Sequence, residues 1–209
     1  MRDVQFPKQV LLVNGLVPLA MLGLDAARHK LGANPYEFAT RATGILTLLF
    51  LILSLAVTPA RKLLGLPWLA HFRRLLGLLG FAYGVLHLLT YLWFDKVFQA
   101  RAIAADLARR PFIMVGMASF LLLVPLAVTS TNAMIRRLGG RRWSRLHKLA
   151  YLAAAGGALH FYMLVKADHR LPLAFAAALG ILLGYRVLNQ YLPGYTERAK
   201  VSARPPRRA

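Results

Sequence analysis

Six histidines and no cysteine bound the chemistry open to this chain of 209 residues. Two of the histidines, His147 and His160, lie in one apolar stretch, WSRLHKLAYLAAAGGALHFYMLVK, from Trp143 to Lys166. At ~1.5 Å per residue such a stretch crosses much of a bilayer's hydrocarbon core. Ionisable side chains are costly there, so imidazoles in a spanning segment imply buried partners. Neutral imidazole is a good ligand for iron. Thirteen residues of helical rise separate the two rings by ~20 Å, which suits two redox stations, one per leaflet. The alternative places His147 among headgroups and has His160 hydrogen-bond a neighbouring helix. A third candidate, His87, lies in FRRLLGLLGFAYGVLHLLTY, residues 72–91. Without cysteine there is no disulfide, no thiolate-held cluster and no CxxCH attachment, so any haem must be held non-covalently through histidine.

The elements that position these residues follow from hydropathy. Of the chain, 58% is hydrophobic, gathered in long uncharged blocks instead of helical stripes, as in an integral membrane protein. Six blocks, at roughly 10–24, 43–57, 74–94, 112–128, 146–165 and 171–191, predict an all-α, polytopic bundle of six transmembrane helices. Breakers such as Asn34-Pro35, Thr58-Pro59, Leu66-Pro67, Arg110-Pro111, Gly139-Gly140 and Leu171-Pro172 mark helix ends and turns. Residues 1–192 form the membrane domain. Residues 193–209 read as a disordered basic cytoplasmic tail.

A net charge of +20 raises nucleic acid as a partner, but the basic residues sit between the blocks and at the C-terminus, where topology explains them without nucleic acid. With six spans both termini share a side, and that side holds 18 of the 27 Lys and Arg, while five of the seven acids lie opposite. The positive-inside rule places both termini in the cytoplasm. Clusters at Arg61-Lys62, Arg73-Arg74 and 136–145 then face anionic lipid or a cytosolic partner. On the outer side, residues 95–110 alternate in a helix-like way, as an amphipathic surface segment or a docking surface does.

This orientation makes the histidines comparable in depth. His87 stands about thirteen residues along an outward-running block, level with His160, and two imidazoles at one level on separate helices can clamp one haem iron. His147 lies at the cytoplasmic level with no histidine opposite it. The matching position is Arg73, whose guanidinium cannot bind iron but pairs with a propionate or phosphate. The inner site is therefore a haem with one protein ligand, or something other than a haem. At ~100° per residue, thirteen residues leave His147 and His160 ~140° apart around an ideal helix, and Gly156-Gly157 between them offers a place for a bend or local unwinding.

The strings TPARK (58–62), residues 72–91, RRPFIMVGMASF (109–120), LAVTST (126–131) and RRWSRLHKLAYL through ALHFYMLVK resemble the MsrQ (YedZ) family, within the ferric reductase-like transmembrane superfamily. In that superfamily two helices each offer a histidine pair to two stacked b-type haems. The resemblance implies haem ligation by His87 and His160, with His147 and Arg73 at a second site that departs from the pattern. It also implies FMN, for which the chain shows no fingerprint motif, and a non-catalytic electron-transfer role. Electrons from quinone or a cytosolic flavin reductase would enter near Arg73, His147 and residues 136–145. They would leave near 25–42 and 95–110 to a periplasmic, molybdenum-dependent methionine sulfoxide reductase of the MsrP type. Phe81, Tyr83, Tyr91, Tyr151, Phe161 and Tyr162 are candidates to pack a porphyrin, and His29, His71 and His169 are expected at the interfaces. A stand-alone haem ferric reductase and a small proton channel or transporter with a histidine relay remain open alternatives.

Overall fold

The computed structural model describes residues 4–191, and nearly every segment is helical. Helix α1 spans Gln5–Ala27 and α2 spans Pro35–Leu63. A 3-10 segment, Pro67–Phe72, leads into α3, Arg73–Thr90, which ends in a π turn at Tyr91–Asp95. Then come α4 (Ala100–Arg109), α5 (Pro111–Val128), α6 (Asn132–Leu138), α7 (Gly140–Leu146), α8 (Leu149–Leu164) and α9 (Arg170–Tyr191). Five segments are long and apolar enough to cross a membrane: α1, α2, 67–95, α5 and α9. Helix α8 has 16 residues, ~24 Å of rise, and packs between α5, α9 and α2.

The helix ends follow local chemistry. Asn34 caps α2 by accepting from the Glu37 amide at 3.2 Å, with Pro35 in the first turn, where a missing N–H costs nothing. Thr131 caps α6 in the same way through Met134, and Gly139 (φ 75°) separates α6 from α7. Pro111 opens α5.

Thr58-Pro59, expected to end a helix, does not: α2 runs on to Leu63. Proline at 59 has no N–H to give the carbonyl of Leu55, and Arg186 of α9 supplies the missing donor, with Nη2 at 2.8 Å from that oxygen. The long-range contact sustains a helix that local chemistry would stop.

Burial is inverted relative to a water-soluble bundle. Large apolar side chains such as Val13, Met21 and Ile181 point outward, while small residues such as Ala154 (0% exposed) and Ala153 (1%) are fully covered, with Tyr83 the largest side chain covered as well. This is the pattern expected where hydrocarbon is the solvent and close helix approach drives packing. Buried Thr43, Ser119 and Thr129 return their hydroxyl protons to carbonyls one turn back. Helix α2 is central, joining one cluster with α3 and α1 (Phe50, Leu76, Leu79, Tyr83) and another with α8 and α9 (Leu48, Leu55, Ala154, Leu179). Helices α2 and α3 form one antiparallel hairpin, and α5 pairs with α8 in a second.

The outer segment expected to be amphipathic contains α4, which has no buried residue. It is held by Asp106, which binds Lys96 Nζ at 2.7 Å and accepts from the Tyr91 hydroxyl at 3.2 Å. The hydrogen bond from Lys96 holds the Asp106 carboxyl below the usual range, and the same bond raises the Lys96 ammonium.

Candidate functional site

His87 stands in the last turn of α3, and its Nδ1 lies 2.8 Å from the carbonyl of Thr40 on α2. His160 stands in α8, and its Nδ1 lies 2.6 Å from the carbonyl of Phe112 on α5. A carbonyl only accepts, so each Nδ1 carries the proton and donates, which leaves the lone pair on Nε2. The two rings, one from each hairpin, meet edge-on with centroids 6.1 Å apart and planes at 77°.

Two imidazoles sharing one metal ion at ordinary nitrogen–metal distances have centroids roughly 6 Å apart. The observed pair therefore has the separation, the tautomer and the backbone support of two axial ligands. Among the described residues no group of three or more His, Cys, Asp or Glu gathers to hold a bare ion. The pair fits a metal whose remaining positions come from a macrocycle, as in a bis-histidine haem.

The level of His147 is built differently. His147 closes α7, with the indole of Trp143 stacked on it at 3.9 Å. Its Nε2 lies 3.1 Å from Thr129 Oγ1, and the Thr129 hydroxyl gives its single proton to the Pro125 carbonyl at 2.6 Å. His147 must then donate from Nε2, the opposite tautomer to His87 and His160. His147 and Arg73 line one cavity of about 440 Å³, together with Arg74, Ser130, Asn132 and Trp143. Arg74 donates to the Ser130 carbonyl and to Asn132 Oδ1. The Arg73 guanidinium has no hydrogen bond or ion pair with the described residues, among which no acid lines the cavity. Phe81 lines this cavity and stacks at 5.8 Å on Phe120, whose ring lies against Gly84 of the His87 helix.

The ~140° offset is reduced where the helix breaks. The amides of Lys148, Ala150 and Tyr151 bond three residues back, to Arg145, His147 and Lys148. A 3-10 residue turns ~120° where an α residue turns ~100°, so three of them bring the offset to roughly 80°. Gly156 and Gly157 lie inside the unbroken α8, which is not unwound there. A Cβ at Gly156 would stand 2.1 Å from Ser119 Oγ, so this glycine permits the close approach of α5 instead.

The structure brings together His87 with His160 and, separately, Arg73 with His147. Most of the aromatic candidates lie elsewhere. Tyr83 donates to the Gly15 carbonyl and stacks on Phe50, Phe161 packs on Phe175 of α9, Tyr151 meets Arg186, Tyr162 meets His169, and Tyr91 binds Asp106. The aromatic ring beside His160 is instead Phe112, at 6.1 Å. His29 and His169 do not line the inner cavity, whereas His71, itself exposed, lines it beside Arg73 and His147. The carbonyls of Thr40 and Phe112, and the Thr129–Trp143 pair around His147, carry no side-chain signal that sequence reading detects.

Residues 41–158, which include His87, Arg73 and His147, match the family described as "Ferric reductase like transmembrane component". The chain is 47% identical over 182 residues to the protein-methionine-sulfoxide reductase heme-binding subunit MsrQ of Herminiimonas arsenicoxydans, covering 86% of this chain and 84% of that one. It is 48% identical over 190 residues to the MsrQ of Azospira oryzae, covering 90% and 82%, and 51% identical over 173 residues to that of Rhodospirillum rubrum, covering 83% of each. The chain belongs to the MsrQ family. The matches to these MsrQ proteins cover 83–90% of the chain, more than the stretch 41–158, so membership rests on most of the bundle and not on the histidine helices alone.

Proposed function

We propose that this chain is the membrane electron-transfer subunit of a methionine sulfoxide reductase system and holds a b-type haem between His87 and His160. The observation that carries the proposal is the close pair of rings, 6.1 Å apart between centroids, each anchored through Nδ1 to a backbone carbonyl with its lone pair left on Nε2. Its MsrQ relatives are named heme-binding subunits, which supports the same assignment. Haem supplies one-electron redox chemistry.

Each residue then has a defined task. Thr40 and Phe112 fix the tautomer and aim of the ligands. Arg73, without a protein counter-charge, faces an anionic group of the donor side: a quinol site, FMN, or the flavin of a cytosolic reductase. With α8 as a sixth span, the inner cavity opens to the cytoplasm of the bacterial inner membrane and α4 lies on the periplasmic face, where an MsrP-like molybdenum reductase docks. A histidine relay for protons requires both ring nitrogens to exchange partners, and Nδ1 of each ring is committed to a carbonyl.

The test is the visible spectrum of the purified protein in detergent. A dithionite-reduced b-type band, present in the parent and lost in His87→Ala and in His160→Ala, is the expected result, and a colourless parent preparation overturns the proposal. Co-purification with a molybdenum reductase, against direct reduction of iron chelates, separates the subunit from a stand-alone ferric reductase.

A further inference from the structure

The two histidines are seated in the same way on unrelated stretches of sequence. His87 lies against Gly44 of α2, and a Cβ built there would stand 3.0 Å from both Nδ1 and Cε1 of the ring. His160 lies against Gly116 of α5, where a Cβ would stand 2.7 Å from Nδ1 and 2.9 Å from Cε1. Ordinary contacts between non-bonded heavy atoms fall near ~3.5–4.0 Å, so either methyl would displace the ring, and the one at 116 would displace it further. In both hairpins the carbonyl that accepts from Nδ1 belongs to the residue four before the glycine: Thr40 before Gly44, Phe112 before Gly116. On a helix the residue four along covers that carbonyl, and only a missing side chain leaves it open to a ring from the neighbouring helix.

We infer that Gly44 and Gly116 are positioning residues for the axial pair: each opens a backbone carbonyl to its histidine and so sets the direction of Nε2 and the near-perpendicular ring planes. The inference rests on the haem assignment above. It adds that the imidazole orientation is dictated by helix backbone on both sides and not by a partner side chain, so it survives only while both glycines are present.

The experiment is electron paramagnetic resonance and haem quantification on Gly44→Ala, Gly116→Ala and the control Gly157→Ala in full-length detergent-purified protein. A Cβ at Gly157 meets only Leu48 Cδ1 at 3.5 Å, an ordinary contact on the same helix as His160. Near-perpendicular axial imidazoles give ferric haem a low-spin signal of large g anisotropy. Gly116→Ala is expected to lose that signal and to weaken haem retention about 10–100-fold, the range seen when ligand-orienting partners are removed. Gly44→Ala, with the smaller intrusion, retains haem with narrowed anisotropy, and Gly157→Ala leaves the signal unchanged. If Gly116→Ala fails to accumulate, the His160→Ala background decides: when the ring is the obstacle, adding Gly116→Ala there costs nothing more, and an equal loss in both backgrounds overturns the inference. Unaltered signals in both glycine variants also overturn it while leaving the haem assignment intact. A parent protein without haem fails that assignment instead.

Discussion

Replacing Arg186 with methionine tests how α2 passes through Pro59. The guanidinium donates to two oxygens, the Leu55 carbonyl at 2.8 Å and the Tyr151 hydroxyl, and its ring-facing side lies 4.8 Å from the Tyr151 centroid. The Leu55 oxygen needs this donor because Pro59 has no N–H, whereas alanine at 59 restores the ordinary helical bond. Arg186→Met alone has an ambiguous cost, since it also removes a cation whose Nε is buried without a partner. The coupling between the two positions is better defined. A hydrogen bond from a charged donor contributes about 1.5–3 kcal/mol in water-soluble proteins, and measured interhelical bonds in membranes are weaker, averaging about 0.6 kcal/mol. A coupling of about 1 kcal/mol is therefore expected, and it corresponds to about 2–4 °C in Tm for a protein of this size. Thermal unfolding in detergent of the parent, Pro59→Ala, Arg186→Met and the double variant measures it. Arg186→Met should cost more Tm with proline at 59 than with alanine. Strictly additive shifts would show that the Leu55 carbonyl does not depend on Arg186.

Three further outcomes follow from the same contacts. His147→Ala should leave the reduced b-type band of the His87–His160 pair in place, and haem per chain measured beside it will show whether any second haem needs this residue; loss of the whole band would refute the separation of the two levels. Thr129→Val removes the acceptor for His147 Nε2 and the hydroxyl bond to Pro125, and should alter ligand binding in the inner cavity without changing the bis-histidine signal, as read by flavin or quinone-analogue titration. Asp106→Asn should speed hydrogen exchange across Ala100–Arg109, because the Lys96 and Tyr91 contacts fasten α4. The carboxyl of Asp106 is depressed, so its contribution is complete above the unfolded value near ~3.9 and fades as pH falls through the folded one; Lys96 is raised, so its contribution is complete below ~10.5 and fades only above that. Protection of α4 in the parent should thus stay level from about pH 5 to 10, and a midpoint inside that window would contradict the assignment.

The bundle was legible because hydrocarbon imposes its length and polarity on every crossing segment, and the six apolar blocks fall on α1, α2, α3, α5, α8 and α9 with ends displaced by a few residues. The level of His87 with His160 was legible for the same reason: uniform helical rise turns residue counts into depth. What failed were inferences from a residue's local habit to an effect set by a neighbouring helix. Pro59 reads as a stop until Arg186, far along the chain, satisfies the carbonyl it orphans. Gly156 reads as a hinge until Ser119 is seen to occupy the space of its missing side chain. Gly44 and Gly116 read as ordinary small residues on transmembrane helices, since nothing in their own segments indicates that an imidazole from another helix rests on each. Conversely, which aromatic residues stand beside the histidines was not legible, because depth fixes the height of a side chain on its helix but not its azimuth. Tyr83 is four residues from His87, about one turn, yet its hydroxyl reaches α1 at Gly15 while the His87 ring reaches α2 at Thr40 and α8 at His160. In a bundle whose helices are apolar nearly all round, azimuth is decided by which neighbour offers a carbonyl or a gap, and that information is distributed over two helices at once.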